Sequence, residues 1–197
     1  ILRTAGEWLG MGLANLYDFA GPVAGFLFGL VYSPIVITGL HQSFPPIETM
    51  LWNEGGSFVF PIASMANIAQ GGVALAVYFL ARSEKLKGLA GASGISALFG
   101  ITEPAIFGVN LRLRWPFYIG MAASAIASAF IAIFGVLADA LGAAGLIGFV
   151  SVPRFVPTFL LCGVISFVVA FVGAYLYGRV LIRKNGSIDP DEVNPPA

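Results

Sequence analysis

One carboxylate stands in the middle of an apolar stretch: residues 100 to 110 read Gly-Ile-Thr-Glu-Pro-Ala-Ile-Phe-Gly-Val-Asn, with Glu103 far from either end. An ionisable group in hydrocarbon is expensive, which makes Glu103 a functional candidate by default. Pro104 disfavours αR for the residue before it and suits the first helical position, so a half-helix is predicted to begin at Pro104 with Glu103 as its cap. A carboxyl there faces the positive end of a helix dipole and could accept hydrogen bonds from a polar solute. The chain's one histidine, His41, lies in Thr-Gly-Leu-His-Gln-Ser-Phe-Pro-Pro at 38 to 46. A neutral imidazole donates and accepts hydrogen bonds and moves a proton near pH 7. Hydropathy alone puts His41 at the outer end of a membrane span. If Pro45-Pro46 breaks the helix and Ile47, Met50, Leu51 and Trp52 carry the chain back inward, His41 approaches the depth of Glu103.

Other polar groups are candidates at one remove. Ser64, Asn67 and Gln70 recur at three-residue spacing beside Gly71-Gly72; such a stripe glues membrane helices together or touches solute. Thr102 and Asn110 flank Glu103 in the same motif, and the four polar residues Asn67, Gln70, Thr102 and Asn110 complete the set of candidate substrate contacts. Arg112 and Arg114 follow the motif; two cations beside Glu103 would suit an approaching phosphoryl group. Asp18 and Asp139 read as solvated span ends. With one His and one Cys, no metal centre is expected and no cofactor motif is present; the Gly91/Gly94 pair is no nucleotide fingerprint.

These residues must be positioned by elements that live in lipid. Of 197 residues, 58% are apolar and 10% charged, against about 25% charged in a soluble domain. Ten basic and ten acidic side chains cancel, so no global charge points to nucleic acid. Cys162 lies in an apolar run and reads as a small buried hydrophobe. The first residues, Ile-Leu-Arg with Glu7 and Asp18 following, do not form a secretory signal, and the missing initiator Met suggests a fragment or processed piece.

No charge falls between Asp18 and Glu48, Glu54 and Arg82, Arg114 and Asp139, or Arg154 and Arg179. Each gap exceeds the about 20 residues that cross about 30 Å of hydrocarbon as a helix. Spans are predicted near Phe19–Leu40, Ser57–Ala81, Trp115–Ala138 and Phe155–Gly178. Gly88–Val109, broken at Glu103-Pro104, and Ala140–Pro153, with three glycines, suit re-entrant or discontinuous segments. The fold class is therefore an all-α integral membrane protein, a multi-span bundle with re-entrant helices in a lipid bilayer.

Basic residues collect at Arg82/Lys85/Lys87, Arg112/Arg114 and Arg179/Arg183/Lys184, and by the positive-inside rule these ends are cytoplasmic. The predicted path takes span one outward and span two back at Arg82; Gly88–Val109 dips in and returns. Span three then leaves after Arg114, and span four returns to a cytoplasmic C-terminus. Residues 1–184 form the membrane domain, and 185–197 a polar cytoplasmic tail or linker.

The segment KGLAGASGISALFGITEPAIFGVNLRLR, Lys87 to Arg114, closely resembles the signature of the membrane IIC components of the bacterial sugar phosphotransferase system, glucose superfamily. YSPIVITGLHQSF at Tyr32–Phe44 and PIASMANIAQ, ending at Gln70, resemble its sucrose and β-glucoside branch; trehalose and N-acetylmuramic acid are the next candidates. The resemblance spans roughly Asp18 to Gly178. It implies a multi-pass protein of the bacterial cytoplasmic membrane that binds an external sugar, which the phosphocysteine of a IIB domain phosphorylates on arrival. Carried over, Glu103 and His41 contact the acceptor hydroxyl, and Arg112 supports phosphoryl transfer. It also implies re-entrant hairpins, an elevator-like movement, and a homodimer built by N-terminal helices that this chain lacks. Cys162, in a span, is not the IIB-type cysteine, so the phosphoryl donor is a separate domain. Two other classes stay open on composition alone: a carrier or channel that moves a polar solute unmodified, and a receptor or assembly subunit in which the polar stripe is packing glue.

Overall fold

The computed structural model describes residues 2–53, 55–140, 142 and 144–189, with the backbone alone for residues 2–19. Helix α1 (Leu2–Thr38) bends at Gly21, whose φ of 31° and ψ of -96° suit glycine, immediately before Pro22. It ends at Gly39 in the left-handed region (φ 75°), a common helix stop. A 3-10 turn, Leu40–Ser43, then runs directly into α2 (Phe44–Asn53). The expected break at Pro45-Pro46 is thus displaced to Gly39. The two prolines sit in the first turn of α2, where a missing N–H breaks no helical hydrogen bond.

Beyond Gly55 and Gly56, α3 (Val59–Leu80) forms the buried centre of the molecule. Ser83 caps α4 (Glu84–Leu98), its Oγ accepting from the Leu86 N–H at 3.2 Å. After a tip at 99–102, the chain returns through α5 (Glu103–Ala105), a π-helical turn (Ile106–Asn110) and α6 (Leu111–Leu113). Then come α7 (Trp115–Ile133), a 3-10 turn at Leu146–Ser151 and α8 (Val156–Asn185). Among the described residues, Ala20–Thr38 of α1, together with α3, α7 and α8, are the four helices long and apolar enough to cross a membrane. Among the described residues there is no β-strand beyond a single bridge, Ser57 with Ala138. The chain is an all-α, multi-pass membrane protein, and its exposed large side chains, such as Val164, Val168 and Val172 of α8, are the apolar ones lipid requires.

Small residues let these helices approach closely, as membrane packing favours. Gly25 and Gly29 of α1 abut Ser128 and Ser124 of α7. Gly72 of α3 faces Ala170 of α8, and the Ser166 hydroxyl donates to the Met65 carbonyl at 2.7 Å. Gly178 presses on Leu80 and Trp115. That last contact brings the ends of α3 and α8 and the start of α7 together, so all three basic clusters share one end of the bundle.

Chain direction corrects the predicted path at span one. Gly25 lies beside Ala132 and Gly29 beside Ser124, while Gln70 joins Ser33 to Phe117; α1 therefore runs antiparallel to α7 and in the same sense as α3. Helix α2 folds back, with Phe28 ring-to-ring against both Phe44 (5.9 Å) and Phe58 (6.0 Å). So α1 and α2 form a helical hairpin that starts and finishes at the end away from the basic clusters. Composition cannot separate a hairpin arm from a crossing helix, since both must be apolar.

The predicted re-entrant segments hold. Helix α4 packs antiparallel on α3, with Gly91 against Tyr78 and Gly94 and Leu98 against Gly71. Its tip consequently stops near the middle of α3. From the opposite end, the segment before Leu146–Ser151 descends to meet it: Gly100 (φ 100°) lies against the Ala144 carbonyl, and Gly145 (φ 89°) against that of Leu98. A side chain at either glycine would collide with backbone. The base of this second segment is held by the Asp139 N–H donating to the Ser151 carbonyl (2.8 Å) and by an Arg154–Asp139 ion pair at 3.2 Å.

The predicted polar tail begins later than 185. Ser187, Ile188 and Asp189 are buried; Ile188 joins the apolar cluster of Val77, Leu80 and Val109, and the Asp189 carboxylate accepts the Arg82 N–H at 2.9 Å. Residues 190–197 of that predicted tail lie outside the described residues.

Candidate functional site

Local hydrogen bonding builds the tip that carries Glu103. The Ile101 N–H donates to the Ser96 carbonyl and the Ser96 hydroxyl to the Ile101 carbonyl, both at 3.1 Å. The Asn67 amide of α3 donates to the Gly100 carbonyl at 3.4 Å. Thr102, 4% exposed, precedes the helix, and its carbonyl accepts the Ile106 N–H at 2.9 Å. That bond makes Glu103 the first helical residue and Thr102 the cap position, one residue earlier than predicted. The Glu103 side chain is exposed at this tip rather than sealed inside the chain.

His41 comes from the turn of the α1–α2 hairpin. Its ring is half-buried, and the Gln42 side-chain amide lies 2.9 Å from Nε2. Burial pulls its pKa below the ordinary 6.5, and the Glu103 charge and the carbonyls of Ile35 and Val36 partly restore it. Two hairpins from separate parts of the chain thus bring His41 and Glu103 within electrostatic reach, with Asn67 and Thr102 fixing the tip.

Gln70 and Asn110 are both fully buried and are bonded to each other. The Asn110 amide donates to the Gln70 carbonyl (3.0 Å) and to Gln70 Oε1 (2.7 Å). The Gln70 amide nitrogen in turn meets Ser33 Oγ (3.1 Å) and the Phe117 carbonyl (3.4 Å). One network therefore ties α1, α3, the π turn and α7 just behind the tip. Arg112 does not stand beside Glu103: nine positions of continuous helical backbone, about 13 Å of rise, set it at the basic end, where it is exposed.

Sequence reasoning missed Glu48. On α2 it is 5% exposed, and burial pushes its pKa up to about 7, with no offsetting hydrogen bond or charge among the described residues. Its signal is its spacing from His41 along a continuous helical segment; from the sequence it stands out only as the charge that closes the first apolar run.

Residues 1–125 match the protein family described as Phosphotransferase system, EIIC. The whole chain is 51% identical to the PTS system sucrose-specific EIIBCA component of Pediococcus pentosaceus, covering 30% of that protein. It is 57% identical, over 77% of its length, to the PTS system sucrose-specific EIIBC component of Staphylococcus xylosus, covering 33% of it. It is 43% identical, over 88% of its length, to the PTS system trehalose-specific EIIBC component of Bacillus subtilis, covering 38%. The chain spans about a third of the length of these curated relatives. No solved structure matches it.

Proposed function

The chain belongs to the EIIC family of the phosphotransferase system, and from that premise we propose that it is the sugar-translocating part of a permease that phosphorylates sucrose as it enters the cell. The observation that carries this reading is that the charge of Glu103 reaches His41 across two separate hairpins, one entering from each end of the bundle. A carboxylate and a half-buried neutral imidazole within electrostatic reach of each other can hold a sugar hydroxyl placed between them and take its proton. Sucrose is favoured because relatives at 51% and 57% identity are sucrose-specific by name.

The reaction is phosphoryl transfer from the phosphocysteine of a IIB domain, a partner that the names of the EIIBC and EIIBCA relatives suggest. The S–P bond breaks as the sugar O–P bond forms; the cysteine leaves as thiolate, and the hydroxyl proton passes to Glu103 or His41. Glu103 orients the hydroxyl, and His41 shares its hydrogen bond. Catalysis rests on positioning and charge stabilisation, as is usual for this chemistry. The Asn67 bond to Gly100 and the Gln70–Asn110 network keep the tip in place.

Positive-inside sorting makes the end with Arg82, Arg114 and Arg179 cytoplasmic, and with it the C-terminus. The α1–α2 hairpin then opens from outside and the α4–α5 hairpin from the cytoplasm, so sugar and phospho-IIB approach one site from opposite faces. Arg112, at the cytoplasmic end, meets the charge of the approaching phosphoprotein.

The test is the chemical form of labelled sucrose taken up by membranes holding the full-length protein, IIB and the general phosphotransfer proteins. The expected product is sucrose phosphate, formed only with phosphoenolpyruvate. Accumulation of free sucrose would support a carrier without chemistry.

A further inference from the structure

The segment from Leu40 to Asn53 is one continuous helical rod, a 3-10 turn followed by α2. One 3-10 turn separates His41 from Phe44, one α-helical turn Phe44 from Glu48, and another Glu48 from Trp52, so these four share a face. That face is turned inward: Phe44 and Glu48 are buried, His41 and Trp52 half-buried, and Gln42, Pro45, Pro46, Thr49 and Met50 on the other side are exposed.

A buried helix face is ordinarily apolar, or its polar atoms are paired. This one is neither. The Glu48 carboxyl has no hydrogen bond or ion pair among the described residues, and the buried Trp52 Nε1 has no partner either. Tyr32 of α1 is the titratable side chain that feels the charge of Glu48.

We propose that Glu48 and Trp52 form the subsite for the second ring of a disaccharide whose first ring is held at His41 and Glu103. The inference rests on the sugar-site reading above. His41 and Glu48 lie about 12 Å apart along the rod, the reach of two linked sugar rings. The Glu48 carboxylate accepts hydrogen bonds from ring hydroxyls. The Trp52 indole covers a ring face and donates from Nε1, the mixture of aromatic surface and a few fixed polar groups that small-molecule sites use. Glu48 and Trp52 are thus specificity residues, apart from the reacting atoms.

The test compares Glu48→Gln, Glu48→Asp and Trp52→Phe with wild type in membranes of the full-length protein. Labelled sucrose is the probe, and methyl α-glucoside, a single ring, the competitor. Glu48→Gln and Trp52→Phe are expected to weaken sucrose binding by about tenfold or more, with Glu48→Asp intermediate. Methyl α-glucoside affinity and kcat for bound sucrose stay within about twofold. Sucrose binding unchanged in Glu48→Gln would overturn the subsite. So would equal losses for both ligands accompanied by a lower melting temperature, the pattern of a packing role. If wild-type membranes bind neither ligand, the sugar reading itself fails, and the subsite with it.

Discussion

The charge of Glu103, at the tip of the α4–α5 hairpin, reaches His41 in the turn between α1 and α2, and among the described residues it is the charge that favours the protonated imidazole against the cost of burial. The two residues lie on hairpins that enter the bundle from opposite ends.

Removing that charge shifts His41 in a defined direction. In Glu103→Gln the imidazole pKa falls further below 6.5, because burial then acts with only the carbonyls of Ile35 and Val36 opposing it. NMR titration of the chain's single histidine measures this directly. An unchanged or higher pKa would show that Glu103 and His41 do not share a site. In the wild type, the same lowered pKa puts the loss of activity that His41 protonation causes below pH 6.5.

The network behind the tip is expected to act through structure. Gln70→Leu leaves the buried Asn110 amide only its bond to the residue-70 carbonyl and removes the side-chain amide that meets Ser33 and the Phe117 carbonyl, at about 1–3 kcal/mol for the buried polar groups left short of a partner. Its thermal midpoint falls, and Asn110→Leu behaves alike, with less than additive loss in the double variant. A Gln70→Leu that raised the KM for sucrose at unchanged stability would instead assign this residue to the sugar.

Much of this arrangement was legible in the sequence, and the failures share a cause. Charge-free runs located the four long helices, because a bilayer penalises charge wherever it falls in a span. Glu103-Pro104 located the broken segment, because its signals are local. The direction of α1 was not legible: its arm of the hairpin is as apolar as a crossing helix, and Gly39 outweighed the more conspicuous Pro45-Pro46. Nor could composition give the Gln70–Asn110 pair or the burial of Asp189 against Arg82, since each depends on residues brought together from distant parts of the chain.

The contact between the two hairpin tips gives a further prediction. Gly145→Ala must push a methyl group into the Leu98 carbonyl, whereas Gly135→Ala, also at positive φ, meets nothing within 4 Å. Both carry the strain of an alanine at positive φ, about 1 kcal/mol or more, and Gly145, at φ 89° and ψ -151°, sits where glycine alone is at ease. Only Gly145→Ala displaces the tip, and its kcat falls well below that of Gly135→Ala. Equal rates in the two variants would remove the seam from the positioning of Glu103.

Glu48 predicts a gain. Its pKa stands near 7 in the fold against an ordinary 4.5, so the folded protein holds a proton that the unfolded chain has lost between those values. Stability therefore falls as pH rises from 4.5 towards 7, by ~3 kcal/mol in full. Glu48→Gln abolishes that decline and raises the melting temperature at pH 8. A lower melting temperature would mean that the carboxylate is paired in the intact protein.

The most direct measurement is single-turnover transfer from phosphorylated IIB to bound sucrose, in wild type and in Glu103→Gln, with sucrose binding recorded in the same membranes. The variant is expected to fold, to receive phospho-IIB, and to lose about 100-fold or more in transfer rate. Transfer at the wild-type rate would contradict the assignment of the acceptor hydroxyl to Glu103.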